Sequence, residues 1–234
     1  MITEELVRKS PMRILENSMH GGLGKGKIGV LASRKGVGKT ACLVHIAIDR
    51  LLQEKAVIHV SFSSRVDHIM TWYEHIFSEM AKNLGLESEP NLLDEIIKNR
   101  VIMNFSQKGT PTGQVLRSLE ALIKNGRFPA ETVIVDGFSF PQSSPDDLQK
   151  FRDLAERLGL EVWFSASLKK EDPLFDDRGN PYELECCLGQ IDVLMTLQHR
   201  QEKVYLRLIK EHGIQSPVEV GLILDPKTLL LVET

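Results

Sequence analysis

The sequence has no apolar run near the length of about 18 residues that a membrane-spanning helix requires. Its first residues, Met1-Ile2-Thr3-Glu4-Glu5, place acids before any basic side chain and lack the apolar core of a secretory signal. Membrane insertion and export are therefore not expected, and a reducing, cytoplasmic compartment is the simplest expectation. Cysteine is scarce: Cys42, Cys186 and Cys187 are too few for a disulfide framework. The vicinal pair offers too few ligands for a metal centre, and Cys42 reads as a small buried apolar residue. Positive charge is not in excess either. With 29 Lys plus Arg against 32 Asp plus Glu, a net charge of -3, nothing global favours nucleic acid, although a local basic groove is compatible with that balance. There is no internal repeat and no low-complexity linker.

What is present suits a globular chain. The 234 residues, 42% hydrophobic and 26% charged, fit one domain, and two small domains also lie within that length. Gly21–Lys27 forms a glycine-rich turn ahead of the apolar stretch Ile28–Ala32, which has the length of a buried strand. Thr40–Leu52 reads as a helix, Val57–Phe62 as a strand, and Asp67–Leu84 as an amphipathic helix. In that last helix Ile69, Trp72, Tyr73, Ile76 and Met80 form an apolar stripe for the core. Leu92–Lys98, Arg100–Asn104 and Thr112–Lys124 read as helix, strand and helix. Val133-Ile134-Val135 then makes the strand Thr132–Asp136 continuously apolar up to an acid. Ser144-Pro145-Asp146-Asp147 carries a hydroxyl cap, proline at the first helical position and acids at the positive end, predicting a helix to about Leu158 that stops at Gly159. Strands are expected at Leu160–Phe164, Ile191–Leu197, Val204–Lys210 and Val218–Leu224, the last two as a hairpin punctuated by Gly213 and Pro217. The alternation predicts an α/β fold: a mostly parallel central sheet flanked by helices, with antiparallel C-terminal strands.

The strongest chemical signal is Ser33-Arg34-Lys35-Gly36-Val37-Gly38-Lys39-Thr40, a phosphate-loop pattern whose first glycine is replaced by serine. Its position between an apolar strand and a helix is the context the motif needs. Backbone amides at a helix start can cradle phosphate oxygens, and Gly36 and Gly38 allow close approach. Lys39 can contact terminal phosphates and Thr40 can complete a magnesium shell. Arg34 and Lys35 either add phosphate affinity or stay solvated. Asp136, at the mouth of a parallel strand, has the hard oxygen that magnesium prefers, and a cap for the following turn is its alternative role. ATP and Mg2+ are the expected ligands. Because Gly137 follows Asp136, the adjacent acid found in many ATPases is absent.

With these motifs in place, the chain resembles the RecA-like P-loop ATPases, especially KaiC-like proteins and replicative-helicase ATPase domains. The resemblance covers about residues 12–231. It rests on Gly21–Gly26 before Ile28–Ala32, on Ser33–Thr40 as Walker A, and on Thr132–Gly137 as Walker B. Ile191-Asp192-Val193-Leu194-Met195 and Leu206-Arg207-Leu208-Ile209-Lys210-Glu211-His212-Gly213 carry it further, with less specific motifs. It implies a single RecA-like domain over 1–234, with 1–20 as an N-terminal extension, and homo-oligomers through RecA-like interfaces. It also implies a catalytic glutamate just after the second core strand. In Val60-Ser61-Phe62-Ser63-Ser64 that position falls on Ser63, which has no carboxylate basicity, and Asp67 and Glu74 are the substitutes to consider. Ser167 stands where the family often places a phosphate-sensing glutamine. Lys210 and His212 stand where residues approach a neighbouring subunit's nucleotide, a surface pair at a turn being the alternative.

These departures separate nucleotide capture from turnover. The favoured expectation is an ATP-binding module acting as a conformational or assembly switch with weak or absent hydrolysis. An active DNA-linked ATPase and a nucleotide-binding scaffold with a protein partner are the alternatives. Against the DNA reading, Lys169, Lys170 and Arg178 in Ser165–Leu188 are offset by Glu171, Asp172, Asp176, Asp177, Glu183 and Glu185.

Overall fold

The structure is a computed structural model that describes residues 2–62, 67–85, 92–106, 109–169 and 172–234, the side chains at 2, 3 and 216 excepted. Two short helices, α1 (Ile2–Lys9) and α2 (Met12–Ser18), precede β1 (Lys27–Arg34) and α3 (Lys39–Leu52). Then come β2 (Ala56–Ser61), α4 (Asp67–Asn83), α5 (Leu92–Ile96), β3 (Arg100–Asn104) and α6 (Thr112–Glu120). β4 (Ala130–Asp136), α7 (Pro145–Leu158) and β5 (Glu161–Leu168) follow. The chain ends in β6 (Val193–Arg200), β7 (Lys203–Glu211), β8 (Ile214–Leu224) and β9 (Leu231–Glu233).

The strands form one nine-stranded sheet in the order β3-β2-β4-β5-β1-β6-β7-β8-β9. Pairing is parallel from β3 through β6 and antiparallel from β6 through β9. This is the mixed sheet the alternation predicts. Because side chains alternate along a strand, β4 sends Val133 and Val135 to one face and Thr132, Ile134 and Asp136 to the other. Val133 and Val135 join α6 and α7 in a cluster that includes Leu119, Leu148 and Phe151. Ile134 joins the cluster built around α3 and α4, with Leu43, Ile48, Ile69 and Tyr73.

α7 begins as its sequence chemistry requires. Ser144 Oγ accepts from the Asp147 amide at 3.2 Å, Asp147 Oδ2 accepts from the Ser144 amide at 3.0 Å, and Gly159 closes the helix at φ 65. Other boundaries moved. Thr112–Lys124 is α-helical only to Glu120 and then widens into a π turn at Ala121–Asn125. The polar stretch after β5 contains a 3-10 helix, Tyr182–Gln190, that carries no strong sequence signal. β8 starts at Ile214 and runs through Pro217, which the sequence marks as a break. Proline is tolerated there because β9 pairs only with Leu222–Leu224, so its missing N–H faces an edge rather than a ladder.

The N-terminal helices cover the outward face of α3. Leu6, Met12, Leu15 and Met19 are buried in the same cluster as Leu43 and Leu51. Asp49 and Arg50, only 3% and 8% exposed, would be costly if unpaired. Arg13 bonds Asp49, while Arg50 is held by Glu16 at 2.7 Å and Glu161 at 3.0 Å.

Candidate nucleotide site

β1 lies between β5 and β6 in the middle of the sheet, and its carboxyl end delivers the phosphate-loop sequence directly to the start of α3. Ser33, 1% exposed, is the penultimate residue of β1 and pairs in register with Ser167 of β5. Its φ is not positive, so serine adopts this backbone without the strain that would call for glycine. The two internal glycines differ from it. Gly36 has φ +84 with open space around it, and Gly38 has φ +120. A Cβ at Gly38 would lie 2.2 Å from Leu224 Cδ2, so loop and β8 approach too closely for any side chain there. Gly38 caps α3 with no side-chain hydrogen bond, which leaves the first helical amides to the loop itself.

Lys39 is 7% exposed. Its ammonium donates to Ser33 O and Arg34 O, each at 3.0 Å, and to Ser33 Oγ at 3.3 Å. All three acceptors are neutral oxygens. Burial therefore pulls the Lys39 pKa down to about 8, and the charge of Asp136 only partly opposes that shift. Val37 packs half-buried against the α3 cluster. Arg34 turns outward to Asp172 at 2.6 Å, and Lys35 is exposed.

Asp136 is held by hydroxyls on both oxygens. Thr40 Oγ1 donates to Oδ2 at 2.8 Å and Ser165 Oγ donates to Oδ1 at 2.6 Å, while Ser165 Oγ accepts from the Gly137 amide at 2.8 Å. Thr40, at the second position of α3, and Asp136, 96 residues later, thus meet directly. Ser165 is a site residue that the motif reading passed over. It follows Phe164, whose register partner on β4 is Val135, so it stands beside Asp136. The available signal was a lone hydroxyl in the apolar run Val162-Trp163-Phe164-Ser165-Ala166.

The remaining candidates are more dispersed. Ser167 is exposed at the end of β5, one strand from Ser33. Ser63 lies outside the described residues, as do Lys170 and Glu171. The chain approaches Ser63 beside Asp136, since the Phe62 amide donates to Asp136 O at 2.9 Å. Asp67 is exposed in the first turn of α4. Glu74 is also exposed, and its charge acts on Arg100, which opens β3 opposite Val57. Asp136 lies opposite Ser61 at the other end of β2, so the structure does not bring Glu74 to the site.

Lys210 and His212 are engaged within their own chain. Lys210 Nζ donates to Leu188 O at 2.6 Å and Ile191 O at 2.7 Å, and burial lowers its pKa. His212 sits at φ 44 in the β7–β8 turn, with Nδ1 3.1 Å from Lys27 Nζ and Nε2 3.1 Å from Gly22 O. Since an ammonium can only donate, Nδ1 is the acceptor and Nε2 carries the proton.

The donor set fits a magnesium-bound triphosphate. Positive-φ glycines leave room for a close anion, a buried ammonium is surrounded only by neutral acceptors, and hydroxyl and carboxylate oxygens converge beside it. A cavity of about 330 Å³ lies to one side, lined by Phe62, Thr110, Phe138, Gln142 and Asp147 among others, with no phosphate-loop residue in its wall.

Comparison with known proteins agrees with this architecture. No protein-family model matches the chain. The DNA repair protein RadA of Aquifex aeolicus (strain VF5) is 30% identical over 108 residues, a stretch amounting to 46% of this chain and 22% of RadA. The chain thus matches only about a fifth of that relative's length. A solved helicase ATPase domain superposes with a TM-score of 0.72, covering 96% of this chain and 91% of that one at 14% identity. The chain has the RecA-like α/β fold, with a mostly parallel core and antiparallel C-terminal strands.

Proposed function

We propose that the chain is an ATP-binding RecA-like module in which magnesium-dependent nucleotide occupancy switches conformation or assembly, with hydrolysis weak or absent. The observation that carries this reading is the convergence of Lys39, Thr40 and Asp136 at the mouth of the sheet. Lys39 and the amides at the start of α3 would hold the phosphates, and Thr40 and Asp136 would hold Mg2+, which supplies positive charge to the terminal phosphate oxygens. Ser165 keeps the carboxylate aimed at Thr40. Weak turnover follows from Ser63, which lacks the basicity to activate water, and from Ser167, whose hydroxyl is shorter than an amide side chain.

Lys210 and His212 are the proposed contacts toward nucleotide on a second copy. To reach it, Lys210 must give up two charge-assisted hydrogen bonds to carbonyls. Those bonds are worth about 1.5–3 kcal/mol each, so only a neighbour bearing phosphate charge would draw the side chain out. Occupancy would then report through assembly.

Calorimetry with and without magnesium, alongside phosphate release on one preparation of wild type and Lys39→Ala, tests the proposal. Expected are magnesium-dependent ATP binding that Lys39→Ala abolishes, turnover near background, and a nucleotide-dependent mass change by light scattering. Equal ATP affinity in both proteins would refute it. The likeness to RadA favours a second reading, a DNA-linked ATPase. Phosphate release that rises with DNA and vanishes in Lys39→Ala would select that reading instead.

A further inference from the structure

One feature lies away from the phosphate loop and has no part in nucleotide capture. In the 3-10 helix Tyr182–Gln190, Cys186 Sγ and Cys187 Sγ are 3.4 Å apart. The two thiols are unequal: Cys186 is exposed, whereas Cys187 is 1% exposed and packed in the cluster beneath α7. Burial, with the Cys186 sulfur second, pushes the Cys187 thiol up to about 12. An exposed thiol beside a buried one at this spacing is the arrangement of an attacking and a resolving cysteine.

We propose that Cys186 and Cys187 are a reversible redox site that closes to a vicinal disulfide by exchange with low-molecular-weight disulfides of the glutathione class. The Cys186 thiolate attacks one sulfur of the small disulfide, forming a mixed disulfide and releasing one small thiol. Cys187 then loses its proton to water and attacks Cys186 Sγ, and the second small thiol leaves. In total, two cysteine thiols are oxidised to one S–S bond and one small disulfide is reduced to two thiols.

Covalent geometry makes the bond a switch rather than a staple. Adjacent α-carbons are about 3.8 Å apart across a trans peptide, below the range of about 4.4–6.8 Å that unstrained disulfides span. To bond, the sulfurs must also close to about 2.05 Å. The ring is therefore strained, and strained disulfides are the readily reduced ones. The strain falls on a short helix that also accepts Lys210 through Leu188 O, so oxidation would disturb the anchoring of that lysine.

The full-length protein is equilibrated across mixtures of oxidised and reduced glutathione, quenched by alkylation and mapped by mass spectrometry. Expected is the loss of two hydrogens confined to the 186–187 peptide, complete in oxidised glutathione and reversed by excess reduced glutathione. Cys42, which is buried, remains a thiol. Cys186→Ser, an exposed change, and Cys187→Ser should each abolish the internal bond. The proposal is overturned if the product is a lasting glutathione adduct on Cys186, a disulfide-linked dimer or unreacted thiols. A vicinal bond that survives excess reduced glutathione would equally overturn it as a switch.

Discussion

The buried charge of Lys39 destabilises the fold, and replacing this residue with methionine should separate that cost from its proposed part in nucleotide binding. An ordinary lysine titrates near 10.5 and Lys39 near 8. At about 1.4 kcal/mol per unit, burying this ammonium costs about 3 kcal/mol at neutral pH. Methionine keeps most of the volume and removes the charge. The substitution also strips a donor from Ser33 O, Arg34 O and Ser33 Oγ, a loss of about 1–2 kcal/mol. The nucleotide-free Lys39→Met protein should therefore be more stable than wild type by about 1–2 kcal/mol. For a chain of this size that raises Tm by about 3–6 °C. Its magnesium-ATP affinity should meanwhile fall at least a hundredfold, about 3 kcal/mol.

The pH dependence adds a sign. Below pH 8 folded and unfolded wild type both carry the proton, so the full cost is present. Between about pH 8 and 10.5 the unfolded chain binds more protons than the folded one, so wild-type stability rises and the advantage of Lys39→Met shrinks. Thermal and urea unfolding from about pH 6.5 to 9.5, with calorimetric ATP titrations at each pH, measure both quantities. A variant less stable than wild type at neutral pH, or a stability gap independent of pH, would refute the reasoning.

Three further outcomes follow from the site. Ser165→Ala removes a donor from Asp136 Oδ1 and an acceptor from the Gly137 amide; it should weaken ATP binding about tenfold with magnesium and little without it, by paired calorimetry. Gly38→Ala must adopt φ +120 and displace Leu224, so a destabilisation of about 2–4 kcal/mol is expected in urea melts. Adding Leu224→Ala should not relieve it, because the cavity and the backbone strain both remain. Ser63→Glu restores a carboxylate where the family resemblance calls for one, and phosphate release should rise at least tenfold without a change in ATP affinity. An unchanged turnover rate would place the catalytic defect elsewhere.

The legible part of this protein is the part written in consecutive residues. Residues 33–40 carry the strand end, the two positive-φ glycines, the lysine and the helix start in one stretch, so their chemistry survives without knowledge of the fold. The apolar run into Asp136 and the Ser144 capping box are local in the same way, and the expected sheet with its antiparallel tail follows from summed local patterns. Ser167 and Ser33 were singled out from motif positions, and only strand register makes them neighbours.

What tertiary structure alone decided is where distant polar atoms meet. Ser165 steadies Asp136 because β5 lies beside β4, and the Phe164–Val135 register sets the residue that stands next to that acid. The N-terminal helices cover α3 because Asp49 and Arg50, ordinary polar residues in the sequence, need Arg13, Glu16 and Glu161 once they are buried. Lys210 is tied to the Tyr182–Gln190 helix rather than left at the surface, since two carbonyls across the β6 junction converge on its ammonium. Sequence periodicity determines which face a side chain takes; the partner it finds on that face depends on strand order and register, which no single segment encodes.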